Sequence, residues 1–288
     1  MNLDMILVLL KFEFIWRALI VGFLTSLCAG LLGVNLVLKR YSMIGDGLSH
    51  VGFGILALAV ALGLPALQTT IPIILIVAFL LLRLRENSKT KGDAAIALIS
   101  VSALAIGITT FSLTSGMNSD MSQYMFGSIL TLTQSDLIIC IITSSVVIIL
   151  YILFYTKNFA LTFDSSFTKA SGIKVDFYNL FTAFMTALIV VVGMRMMGAM
   201  LISGLIIFPP LTSIRLFKSY KKVAIASGVL ATICFLIGIF ASFVLSTPVG
   251  SSVILTNLCV FCLVLIISYI RSLQKKNARK KVALNEDR

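Results

Sequence analysis

The sequence predicts an all-α, polytopic membrane protein with eight or nine transmembrane helices and short re-entrant or interfacial helices between them. Three observations carry that prediction. Of 288 residues, 59% are hydrophobic and 12% are charged, roughly half the ~25% charge of an ordinary soluble domain, and the mean hydropathy is +1.09. Charged residues break the chain into apolar runs of about 20 residues, the length that crosses a hydrocarbon core. The basic residues fall in alternate breaks. A soluble enzyme and a disordered chain are both excluded.

The net charge of +12 would suggest nucleic acid in a soluble protein, but its distribution argues otherwise. Of the 23 Lys and Arg, 20 lie in clusters at 39–40, 83–91, 157–174, 215–222 and 271–288. The intervening breaks at 64–69 and 245–249 carry no charge, and 116–136 carries only Asp120 and Asp136. Positive residues next to spans stay in the cytoplasm. The excess is therefore a topology signal, and no nucleic-acid partner is expected.

Taken in order, the spans fall at roughly 15–38, 43–63, 70–84, 94–115, 137–156, 177–196, 199–217, 223–245 and 249–270. This order places the N-terminus outside and the C-terminus in the cytoplasm. Residues 1–270 form one transmembrane domain, and 271–288 a basic cytoplasmic tail. The third span is short and contains Pro72, so a tilted, broken or partly re-entrant segment is expected there, and eight spans remain the alternative. Residues 1–14 alternate apolar and charged positions (Asp4, Lys11, Glu13), as an interfacial lead-in would. No removable signal peptide is expected, because no basic region leads to a small-residue cleavage site.

Two segments do not span. The outer one, 120–134, is too apolar for a free loop and predicts a short helix packed at the outer mouth. The inner one runs from Asp164, a good N-cap, to Gly172, a good residue just past a helix end. These bracket about two helical turns that offer Phe167 and Ala170 for contact. A plain surface helix is the alternative reading.

Ionisable residues inside spans are costly and mark function by default. The one histidine, His50, lies four residues after Asp46 in the second span, so both share a helix face. Gly54, Ala57 and Ala61 fall within about 80° of Asp46 on that helix. A carboxylate, an imidazole and then only small side chains form a plausible pore wall. Imidazole and carboxylate both ligate Zn²⁺ at about 2.0–2.2 Å, and Mn²⁺ accepts both with more preference for oxygen. Two protomers meeting on an axis would supply four such ligands. A structural Asp–His hydrogen bond is the alternative.

Other groups point to packing. Gly22, Ser26 and Gly30 form a small-residue ridge that lets helices approach closely. Met194, Met196, Met197 and Met200 do not share one helix face, so a Cu(I) site is disfavoured, and Arg195 beside them marks an outer interface. The five cysteines lie in apolar stretches, and the lone pair Cys259/Cys262 lacks further soft ligands. No GxxxxGK[ST] phosphate loop occurs, so the chain is no ATPase, and HExxH, GxGD and GxSG motifs are absent too.

The run MIGDGLSHVGFG at 43–54, preceded by Leu38-Lys39-Arg40, resembles the signature of the zinc/manganese permease family of binding-protein-dependent ABC importers. Residues 124–130 (YMFGSIL) resemble its LFG segment, with Met125 where Leu is usual. Residues 164–172 resemble its coupling segment. Residues 198–209 (GAMLISGLIIFP) resemble its late apolar motif, here with a doubled Pro209-Pro210. Pro248-Val249-Gly250 resembles its Pro-x-Gly turn. The resemblance covers about residues 12–270.

That resemblance implies a homodimeric pore in the bacterial cytoplasmic membrane, powered by a separate cytoplasmic ABC ATPase dimer and fed by an extracytoplasmic metal-binding protein. It implies that Asp46 and His50 bind metal within the membrane. It also makes Asp164, Phe167, Ala170 and Gly172 parts of a cytoplasmic coupling helix that docks on the ATPase. Zinc is the expected cargo, with manganese the alternative; ATP is used by the partner, and no permanently bound cofactor is expected. An ion-coupled secondary transporter is the nearest rival, and an intramembrane hydrolase a remote one.

Overall fold

A computed structural model describes residues 13–87, 92–115, 125–127 and 133–286. The expected lead-in at 1–14 and the outer helix at 120–134 lie mostly outside the described residues. Among the described residues, eleven helices follow in order: α1 Glu13–Leu38, α2 Ser42–Ala61, α3 Ala66–Asn87, α4 Gly92–Ser115, α5 Gln134–Leu153, α6 Tyr155–Phe163, α7 Ser165–Ala170, α8 Val175–Met197, α9 Ala199–Leu216, α10 Tyr220–Leu245 and α11 Val249–Glu286. Among the described residues, nine of them (all but α6 and α7) are long and apolar enough to cross a membrane.

The third span differs from its expected form. It is one unbroken 22-residue helix that includes Pro72. Proline removes a bond to the carbonyl four residues earlier and crowds it. At Pro72 that carbonyl belongs to Gln68, in the helix's first turn, so the cost falls where few bonds precede it. At the far end of the chain, α11 runs without interruption from the last span into the basic tail.

Hydrophobicity alone cannot order the helices, because lipid is as apolar as a helix face. Small residues do it instead. Helices α1 and α2 are the most enclosed, with 67% of their spanning windows buried, against 17% in α11. Along α1, a Cβ on Gly22 would overlap the Phe235 ring of α10, and one on Gly30 would come within 2.7 Å of the Ser227 carbonyl. The Ser227 hydroxyl donates to the Gly30 carbonyl across that contact at 2.7 Å. Ser26, fully buried on the same ridge, turns its hydroxyl back to the Phe23 carbonyl.

A second close approach joins α1 to α9. Pro210 has no N–H to give the Ile206 carbonyl one turn before it. Gly33 sits directly on that oxygen, where a Cβ would lie at 2.1 Å.

Described residues of several basic clusters meet at one end of the bundle. There Lys39 meets Asn179, Arg85 pairs with Asp93 at 3.2 Å, and Tyr155 packs on Tyr220. At the opposite end, residues 125–127 lie between the α8–α9 junction and the start of α11. Gly127 and Gly198 both have positive φ (83° and 91°), and their backbones touch so closely that neither has room for a side chain.

Candidate functional site

The site is built on α2, and its glycines explain how. A Cβ on Gly45 would press on Ile206 of α9 at 3.1 Å; one on Gly47 would meet Ile96 and Ser100 of α4 at 2.9 Å. One on Gly52 would meet Ile74 of α3 at 2.9 Å and Met194 of α8 at 3.3 Å, and one on Gly54 would reach the Ala103 carbonyl of α4 at 2.5 Å. Four helices thus close on α2 from different sides. The stripe bearing Asp46 and His50 is left partly open, with side chains 36% and 23% exposed. His50 lies eight residues into the helix, about 12 Å from its basic end.

His50 Nε2 lies 3.6 Å from Asp46 Oδ1. That is neighbourly but too long for a hydrogen bond. Among the described residues, His50 Nδ1 is buried with no hydrogen-bond partner. A buried ring nitrogen left unpaired costs about 1–3 kcal/mol. An imidazole ligates a cation through one ring nitrogen, and the one that faces Asp46 is Nε2. No group of three or more His, Cys, Asp or Glu that could hold a metal occurs among the described residues. One chain therefore offers a pair of ligands, not a closed cage.

The remaining positions of the stripe divide. Ala61 is partly exposed, but Ala57 is fully buried and Gly54 lies against the α4 backbone. In this arrangement the smallness of Gly54 admits a neighbouring helix.

On the basic side, Asp164 caps α7 by accepting the Phe167 N–H at 2.8 Å. Gly172, at φ 81°, turns the chain out of it. Thr168 is buried and anchors the segment, while Phe167 is 69% exposed and Ala170 is exposed. The preceding helix α6 was not anticipated, because Lys157 and Asn158 interrupt the apolar run there. Asn158 turns inward and is buried, 3.4 Å from the Thr182 hydroxyl that donates to it.

Two further polar groupings escaped the sequence reading. Lys39 Nζ donates to Asn179 Oδ1 at 2.8 Å, and Asn179 Nδ2 donates to Glu86 Oε1 at 3.0 Å. Burial pushes the Lys39 ammonium down to about 8, against the pull of Glu86, which raises it. At the other end Arg195 pairs with Asp136 at 3.2 Å. Asp136 also completes a capping box with Thr133. Asp136 and Arg195 each stood out in the sequence, but their 59-residue separation concealed the pairing.

The methionines diverge. Met194 packs against Gly52, Met197 sulfur accepts from the Thr25 hydroxyl, and Met200 is exposed. Cys259 and Cys262 lie exposed on the lightly buried α11.

This geometry has counterparts. The manganese import system permease protein ScaB of Streptococcus gordonii is 28% identical over 271 residues, covering 94% of this chain and 96% of that one. The high-affinity zinc uptake system membrane protein ZnuB of Buchnera aphidicola (subsp. Schizaphis graminum) is 30% identical, covering 88% and 97%. The solved structure of PsaBC from Streptococcus pneumoniae in complex with a Fab superposes with a TM-score of 0.82 at 28% identity, covering 92% and 95%. The model of the ABC 3 transport family matches residues 11–268, nearly the whole chain, and the chain belongs to that family.

Proposed function

We propose that this chain is the pore-forming permease subunit of an ATP-driven importer of a divalent transition metal, with zinc as first cargo and manganese as alternative. The observation that carries the reading is the His50 imidazole with its Nε2 beside the Asp46 carboxylate, on the partly open stripe of an enclosed helix. Relatives named for zinc and manganese import support it. A second copy of the chain brings its own Asp46 and His50 to the axis, making four ligands, which suits tetrahedral zinc. Ligands contributed by two subunits can separate again, and a site in a conduction path must release what it binds.

An extracytoplasmic metal-binding protein delivers the ion at the end that holds Asp136 and Arg195. A cytoplasmic ATPase dimer engages the α7 segment at the basic end, which faces the cytoplasm together with the C-terminus. ATP-driven closure of that dimer moves α7 and switches access to the Asp46/His50 level. The chain contributes ligands and gates, and the partner contributes hydrolysis.

The test is isotopic zinc and manganese uptake by the complete complex in proteoliposomes. Asp46→Ala and His50→Ala each abolish ATP-dependent uptake while the ATPase still copurifies. Normal uptake in both variants overturns the site. Accumulation driven by an ion gradient through the chain alone, without ATPase or ATP, overturns the importer.

A further inference from the structure

Beyond the metal pair and α7, the basic end contains a linkage that joins them. Two residues, Ile173 and Lys174, separate Gly172 from the start of α8. Asn179 lies only about 6 Å further along that helix. Its amide bridges Lys39, just past the end of α1, and Glu86, near the end of α3, through bonds of 2.8 and 3.0 Å. Among the described residues Lys39 and Glu86 make no direct ion pair, and the amide is the hydrogen-bonded bridge between them. Lys39 in turn stands three residues before α2, which bears Asp46 and His50. Beside the bridge lies a small, mostly apolar cavity to whose lining Lys39 and Asn179 contribute along with Leu36, Ile44 and Leu82.

We infer that Asn179 is a positioning residue: through Lys39 and Glu86 it ties the displacement of the α7 segment to the helix that holds the metal ligands. The inference rests on the importer reading. Side-chain amides suit such a link, since one group accepts from an ammonium and donates to a carboxylate. Hydrogen bonds to charged groups are stronger than neutral ones, enough to bias a two-state element and still be broken in every cycle. Lys39 is part-buried with its ammonium depressed by desolvation.

The experiment measures metal transported per ATP hydrolysed by the complete reconstituted complex, in a double-mutant cycle of Asn179→Leu and Phe167→Ala. Each single variant lowers the ratio at least about fivefold, while the apparent KM for metal stays within about twofold. The double variant falls no further than the worse single one, because both changes interrupt one path. Asn179→Asp, which retains the acceptor for Lys39 and loses the donor to Glu86, enters the same cycle in case Asn179→Leu fails to assemble. A ratio within twofold of the unaltered complex, or a double variant equal to the product of the singles, overturns the linkage. If the unaltered complex itself shows no ATP-driven metal uptake, the importer reading fails instead.

Discussion

Lys39 shows how far a single residue's environment departs from what its letter suggests. In the sequence it belongs to a two-residue basic cluster that reads as a signal of cytoplasmic placement. In the fold it is part-buried, holds Asn179, and has its ammonium depressed to about 8 by desolvation, with Glu86 opposing. The unfolded chain keeps that proton to about 10.5, so between these values the unfolded state binds more protons and stability rises with pH. Arg85 and Tyr41 stand close by; burial raises the Tyr41 phenol, leaving it neutral over most of that window. The thermal midpoint of the unaltered protein in detergent, relative to Lys39→Arg, should therefore climb from pH 7.5 to 10. A constant difference over that range would refute the assignment. The Asp46/His50 pair, by contrast, was legible in the sequence, because a lone ionisable pair at helical spacing inside an apolar run has few cheap explanations. The burial of Gly54 and Ala57 was not, since a stripe of small residues reads the same against lumen or against helix.

At the scale of the element, α7 is short enough that its cap decides whether it forms. Six residues close very few backbone bonds, and helix nucleation is unfavourable. Replacing an N-cap Asp by Ala costs about 1 kcal/mol, a large share of what holds so small a helix. Asp164→Ala should weaken ATPase binding by loosening the platform, and Phe167→Ala by removing its exposed aromatic. For a buried interface anchor, truncation costs at least about 2 kcal/mol, or about 30-fold in affinity. Titrating labelled ATPase against the reconstituted chain reads both. Affinities within threefold for both variants would leave α7 without a docking role. The two caps of α7 were visible in the sequence because Asp164 and Gly172 act locally. Helix α6 was hidden because Asn158 satisfies its polar group through Thr182 of α8, a partner distant in the chain.

Across the whole molecule, charge fixes orientation while small residues fix arrangement. Opposite ends of α10 carry Lys221 and Ser246, both exposed. In a cysteine-free background, Ser246→Cys should react with an impermeant thiol reagent in intact cells and Lys221→Cys should not; the reverse pattern would invert the topology. Nine apolar runs could be located in the sequence because each is bounded by charge or turn residues, although Pro72 in the third left eight spans as the alternative. Their neighbours could not be assigned, because most span faces are apolar and the close glycine contacts that order them join residues distant in the chain. The junction of α1 with α9 has a mechanical consequence. Where side chains interlock as ridges in grooves, one helix can slide along another only by climbing over each knob. At Gly33 and Ile206 a bare Cα rests on a carbonyl that Pro210 has released from its helical donor. Helices α1 and α9 therefore meet there without an interlocking side chain, and in the importer proposed above that contact offers a point about which outward and inward shapes could turn.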